Sequence, residues 1–140
     1  MSTIDTAVRY FTGMDELDAH AATEGWAEDG TYLGIEHRDG KIHRKLYQGK
    51  QAIRGYIAAW VAMAAGGIKY TLPNVVGNDK TVMIEWSDVA KTKDGREYRN
   101  QGVLVFEFNA NGKIQQARAY QDCGPLEDWD FSSGIRAGAR

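Results

Sequence analysis

One cysteine, a net charge of only −2 and no long apolar run set the first limits on this 140-residue chain. The single cysteine, Cys123, excludes an internal disulfide and any cluster of thiolate ligands. With no activating base in view, it reads as inert. The longest apolar run, residues 57–65, falls far short of the roughly 20 residues that span a bilayer, so no membrane contact is expected. A near-neutral chain lacks the basic footprint of a nucleic-acid binder. The local basic excess of Arg38, Lys41, Arg44, Lys45, Lys50 and Arg54 reads as a solvated hairpin and helix start rather than an anion site. Residues 1–9 carry no basic stretch leading into an apolar one, so no secretory signal is visible and a cytoplasmic protein is expected.

What is present describes an ordinary globular domain. Hydrophobic residues make up 43% and charged residues 26%, and a chain of this length buries enough surface to fold without metal or disulfide staples. Four Trp and seven Tyr are many for so small an acidic chain. They fill a core or line a cavity.

The first third reads as helix. Thr3 caps a segment with Ala7, Val8, Tyr10 and Phe11 on one face, and Gly13 stops it. Asp15 caps a second helix with Leu17, Ala21, Ala22 and Trp26 inward. Residues 31–37 and 41–47 then flank Arg38-Asp39-Gly40, a hairpin signal. Residues 51–65 have the clearest helical spacing, through Ala52, Ile53, Tyr56, Ile57, Trp60 and Ala64, ended by Gly66-Gly67. The remainder alternates as strands do. Pro73 bends or edges the first run, residues 68–76. Val82, Ile84, Trp86 and Asp88 share one face of the next. Asn100, Gly102, Leu104 and Phe106 share one side of a long strand, with Val103, Val105 and Phe108 on or near the other. Asn111-Gly112 turns the chain into a last strand with Ala117, Ala119 and Gln121 inward, ended by Gly124-Pro125. This order is α+β: three N-terminal helices packed in a strongly curved, mostly antiparallel sheet, a cone with one open mouth. One domain spans residues 1–125, and residues 126–140 form a tail.

The motifs Trp26-Ala27-Glu28-Asp29-Gly30-Thr31-Tyr32, Tyr47-Gln48-Gly49-Lys50-Gln51-Ala52-Ile53, Gly95-Arg96-Glu97-Tyr98, Asn111-Gly112-Lys113-Ile114 and Tyr120-Gln121-Asp122 occur in a familiar order. Together they resemble the SnoaL-like polyketide cyclase group of the nuclear transport factor 2-like superfamily, whose fold is a cone-shaped, cystatin-like α+β roll. That fold hosts many activities. The limonene epoxide hydrolase pattern needs an Asp–Arg–Asp set. Asp88 matches its first Asp and Tyr32 its Tyr, but Trp86 replaces the Arg, Ala119 the second Asp and Gly34 the Asn. Where the ketosteroid isomerase pattern puts its proton-shuttling Asp, Gly34 stands, with Glu36 two positions on. The Asp–His pair of the scytalone-dehydratase-like pattern is not matched in register. The resemblance implies a cofactor-independent enzyme doing general acid/base chemistry on a small hydrophobic cyclic or aromatic molecule, of isomerase, dehydratase/lyase or cyclase type. The alternatives are a non-catalytic binding protein with the same pocket and, less favoured, an epoxide hydrolase.

Asp88 is the leading catalytic candidate. Among apolar neighbours its carboxylate loses hydration, which raises its pKa toward neutrality. Its bland alternative is an outward ion pair with Arg96 or Arg99. Tyr32 is a candidate oxyanion donor. His43 is the better base of His37 and His43, which flank the hairpin turn. Tyr10, Trp60, Trp86, Asn100, Gln121 and Asp122 are candidate substrate-binding residues, with a structural role for Asp122 weighed above a functional one. Two His without a third strong ligand make a poor zinc site, and no phosphate-binding glycine loop is present, so neither metal nor cofactor is expected. A homodimer through the outer sheet face is expected, since Val103, Val105 and Phe108 need a cover.

Overall fold

Ser2, rather than Thr3, starts the first helix in the computed structural model, which describes residues 1–38 and 40–122. Its hydroxyl accepts the Asp5 amide while the Asp5 carboxylate accepts the Ser2 amide, a reciprocal cap. Thr3 sits inside the helix and donates to the Asn78 carbonyl at 2.6 Å. Helix α1 (Thr3–Asp15) runs through Gly13 instead of stopping there. Gly13 is where α2 (Ala19–Thr23) crosses: a Cβ on it would lie 2.5 Å from the Ala22 amide nitrogen. The second helix is therefore short. Asp18 caps it, accepting the Ala21 amide at 2.9 Å. Asp15, expected in that role, instead accepts the Tyr70 amide at 2.9 Å and ties α1 to the sheet. Leu17 is in the left-handed region (φ 58°) and exposed, not inward. Trp26, also read as helical, begins a strand and is buried there, its Nε1–H donating to the Thr31 carbonyl.

Six strands follow in one sheet: β1 (Trp26–Arg38), β2 (Lys41–Gln48), β3 (Gly67–Gly77), β4 (Thr81–Lys91), β5 (Glu97–Phe108) and β6 (Ile114–Asp122), with α3 (Lys50–Met63) between β2 and β3. Their order across the sheet is β2-β1-β6-β5-β4-β3. Every neighbouring pair is antiparallel except β1–β6. This is the expected curved, mostly antiparallel sheet with helices on its concave face. Helix α1 packs on β3 and β4, and α3 on β1 and β2. The core lies between, with Phe11, Trp26, Ile53, Ile57, Ile84 and Phe106 essentially fully buried.

The alternation read from the sequence holds along β4, whose inward residues are buried; on β5 Gly102 is half-buried, and Val105, expected on the exposed outer face, is itself buried. Phe108 follows the alternation too: two residues beyond Phe106, it falls on the inward side and packs against the core, so it does not belong to the outer face where it was expected. Ala52 is on the exposed side of α3. Cys123, Gly124-Pro125, the tail at residues 126–140 and the Asp39 corner of the hairpin lie outside the described residues.

Two glycines test this packing with opposite signs. Gly13→Ala forces a methyl into the α2 backbone and is expected to destabilise by roughly 1–3 kcal/mol. Gly55→Ala, mid-α3 with open space around it, is expected to stabilise by about 0.5–1 kcal/mol. Urea denaturation of both variants measures the pair, and equal shifts would count against the helix crossing.

Candidate active site

The two-residue period of a strand sends alternate side chains to one face. On the concave face this builds rows across the sheet: Val82–Phe106–Ala117–Tyr32–Tyr47, then Ile84–Leu104–Ala119–Gly34–Lys45, then Trp86–Gly102–Gln121–Glu36–His43. A fourth row opposes Tyr70, Asp88 and Asn100. Helices α1 and α3 close over these rows and leave a cavity. Its free space, counting the part open to solvent, is about 440 Å³, and much of it is a slot scarcely wider than a water molecule.

The slot is mostly aromatic. Tyr10 and Phe11 of α1 and Tyr56, Ile57 and Trp60 of α3 face Tyr32, Tyr70, Trp86, Tyr98 and Leu104 of the sheet. Edge-on contacts fix the rings: Phe11–Tyr70 at 5.1 Å, Trp60–Tyr98 at 5.1 Å and Tyr70–Trp86 at 5.8 Å between centroids. Three polar side chains join this lining besides the phenols: Asp88, Glu36 and Gln121.

Asp88 is 4% exposed. Its Oδ1 accepts the Asn100 backbone N–H at 2.9 Å, and its Oδ2 has no hydrogen-bond partner among the described residues. Loss of hydration pushes its pKa from 3.8 up to about 7. The Asn100 amide and the Tyr70 and Tyr98 hydroxyls pull the other way, and the Asp15 charge adds to the rise. No arginine turns it outward: Arg96 pairs with Asp94 and Arg99 with Glu97, each at 3.2 Å. Asn100 is also buried, and its Nδ2 donates to Gln121 Oε1 at 3.3 Å.

A second polar group is made of phenols. Tyr10 donates to the Tyr32 hydroxyl at 3.4 Å, and the Tyr56 ring lies 5.5 Å from that of Tyr32. Burial pushes Tyr32 up to about 12 and Tyr10 and Tyr56 well above the ordinary phenol value. At neutral pH these groups keep their protons and act as donors.

The structure thus brings Asp88, Tyr32, Tyr10, Trp60, Trp86 and Gln121 to one cavity, with Asn100 directly behind Asp88 and Gln121. His43 is half-buried on the same face, opposite Glu36, but is not part of the lining. His37 pairs with Ile42, so the two histidines point to opposite faces of the hairpin rather than toward each other. Asp122 is exposed at the end of β6. Tyr56, read as a helix core position, Tyr98, quoted only as part of a family motif, and Tyr70, singled out by nothing in the sequence reading, also line the slot. Tyr98 was findable, being two residues before Asn100 on the same face. Among the described residues no three His, Cys, Asp or Glu side chains gather as a metal site.

A curved sheet closing on helices around a polar-dotted aromatic slot defines the class of pocketed α+β rolls. Residues 7–117 match the family model described as SnoaL-like domain, and the chain belongs to that family. No curated protein sequence matches it significantly. Among solved structures, the fold is similar to that of SalBIII, described as an epoxide hydrolase/cyclase-like enzyme in pyran ring formation in the polyether salinomycin (TM-score 0.66, 20% identity, covering 85% of this chain and 89% of that one). It is similar to RV0760c from Mycobacterium tuberculosis, solved with estradiol-17beta-hemisuccinate (TM-score 0.68, 16% identity, 86% and 94%). An NTF2-like protein of unknown function from Exiguobacterium sp. 255-15 is also similar (TM-score 0.64, 21% identity, 84% and 98%).

The raised pKa of Asp88 makes stability depend on pH. The folded state binds this proton more tightly than the unfolded chain does. Its contribution is complete below the ordinary carboxyl value and is lost as pH rises through about 7. Asp88→Asn removes the dependence. Across about pH 4 to 8, the variant is expected to gain stability relative to the native protein, on the order of a few kcal/mol in all. Thermal unfolding at several pH values tests this, and a constant difference would remove the argument.

Proposed function

We propose that this protein is a cofactor-independent enzyme performing general acid/base catalysis on a small hydrophobic cyclic or aromatic molecule, with isomerisation, elimination or ring closure as the reaction class. The observation that carries the reading is Asp88: a buried carboxyl in an aromatic slot, with a pKa of about 7 and one oxygen unpartnered. Such a group takes and returns a proton at nearly equal cost in either direction. In this scheme the Asp88 carboxylate removes a proton from substrate carbon. The electron pair moves toward a substrate oxygen, where the Tyr32 hydroxyl, backed by Tyr10, donates a hydrogen bond to the developing charge. The protonated Asp88 then delivers its proton to another atom of the substrate. His43 enters only indirectly, beside Glu36.

Epoxide hydrolysis by the charged-triad route is disfavoured because Trp86 and Ala119 hold two of the positions that route needs. A second reading, binding without turnover, draws support from the slot's narrowness and from the ring-bearing ligand of RV0760c. Proton exchange separates the two. In D₂O, the native protein is expected to speed the loss of the ring α-proton NMR signals of 2-tetralone, a small aromatic ketone. Asp88→Asn should lower that rate by about 100-fold or more, and Tyr32→Phe by about 10-fold or more. Undiminished exchange in the Asp88 variant would sink the assignment.

The outer sheet face supports the further proposal of a homodimer. Val76, Met83, Val103 and Tyr120 are exposed there, and the register sets Val76 beside Met83 and Val103 beside Tyr120. Sedimentation at micromolar concentration is expected to give a dimer, and Val103→Glu with Tyr120→Glu a monomer. A monomeric native protein would end this part of the proposal.

A further inference from the structure

Four buried polar side-chain atoms among the described residues have no hydrogen-bond partner. One, on Arg54, belongs to the α2–α3 contact, where its Nε donates to Thr23. The other three sit together. Trp86 Nε1 and Asp88 Oδ2 are two residues apart on the inner face of β4, and Asn100 Oδ1 belongs to the residue paired with Asp88 on β5. Trp86 and Asp88 line the slot, as does Gln121, which holds the Asn100 amide. Buried polar groups are almost always hydrogen-bonded, so three bare ones on adjoining residues, two of them in the lining and Asn100 just behind it, point to a missing partner.

Their chemistry describes that partner. An indole N–H only donates; an amide oxygen and an ionised carboxylate oxygen only accept. A hydroxyl satisfies both kinds, accepting from Trp86 and donating to Asn100 or Asp88. An ether or ketone oxygen accepts from Trp86 and leaves both oxygens bare. A hydrocarbon leaves all three. We propose that Trp86, Asp88 and Asn100 form a subsite for a hydroxyl group carried by the ligand's ring, so that the slot selects alcohols, phenols and enols over the corresponding ethers and hydrocarbons. The proposal rests on the reading of the slot as a site for ring compounds, and it narrows the substrate class of that site.

Calorimetric titration with 2-naphthol, 2-methoxynaphthalene and naphthalene tests it. The measurement belongs at about pH 8, above the Asp88 pKa of about 7, where the carboxylate is an acceptor. The native protein is expected to bind 2-naphthol about 10-fold or more tighter than either analogue, since a site with buried groups awaiting an O–H holds ligands without one more weakly. Trp86→Phe and Asn100→Leu should each shrink the naphthol-to-naphthalene affinity ratio to about 3-fold or less. The ratio cancels changes in the fit of the ring, and either folded variant suffices. A resident water has the same hydrogen-bonding pattern and would serve all three ligands alike. Equal affinities therefore overturn the hydroxyl subsite, as does a naphthol advantage that survives both substitutions. Failure of all three to bind overturns the ring-site reading itself, and this subsite with it. A hydroxyl preference without proton exchange in D₂O leaves the subsite standing and removes only catalysis.

Discussion

A curved sheet has one concave face, and every second residue of six strands must fit inside it together with the helices. Space is the constraint that orders everything else here. Strand β6 meets it by being small: it contributes Ala117 and Ala119, both fully buried, before Gln121. Gly34 continues the Ala119 row on β1. Gly102 does the same for Trp86, because a Cβ there would lie 3.0 Å from the indole and 2.3 Å from the Tyr120 carbonyl. These small positions make room for the rings of Tyr32 and Trp86 and for the helix-borne Tyr10 and Trp60. A slot remains because large rings meeting edge-on do not tile a cone completely.

The same packing sets the protonation states. Burial among rings raises the pKa of any group that becomes anionic. For Asp88 the rise ends near neutrality, so both forms are populated there. For Tyr10, Tyr32 and Tyr56 it moves an already high value further out of range. One physical cause therefore divides the wall into a group that exchanges protons and groups that hold them. That division arises without an opposite charge near Asp88 among the described residues, Arg96 being paired with Asp94 and Arg99 with Glu97.

What the sequence revealed follows the same physics. Strand alternation is local, so the inward set of β4 and β5 was readable, and with it the burial of Asp88 and Asn100. The helix boundaries were not. Gly13 looks like a helix stop but is a crossing point, and that distinction depends on Ala22, which sits in a different helix. Asp15 looks like a cap but serves Tyr70, which is 55 residues away. Tyr70 joins the site through its cross-strand pairing with Asp88, a non-local property. The histidines show the limit at its smallest scale. They are spaced symmetrically about the turn, yet a one-residue difference in pairing places them on opposite faces.

Trp86 shows how one position redirects a scaffold's chemistry. In the limonene epoxide hydrolase pattern, from which this sequence departs, an arginine stands there, two residues from the carboxylate. A guanidinium at that distance favours the ionised form and pulls the carboxyl pKa down. With an indole there, no opposing charge offsets desolvation, and the pKa rises instead. Ala119 removes the second carboxylate of that pattern, and with it the like charge that a pair would have had to accommodate. What is left is a single carboxyl that changes state near neutral pH, beside an indole N–H and an amide oxygen that are both unpartnered. A triad that activates water needs fixed charges of both signs. On the proposed function, a lone switchable carboxyl works instead with a substrate whose own polar group supplies the missing hydrogen bonds, so that the proposed chemistry and the proposed hydroxyl subsite call for the same kind of ligand.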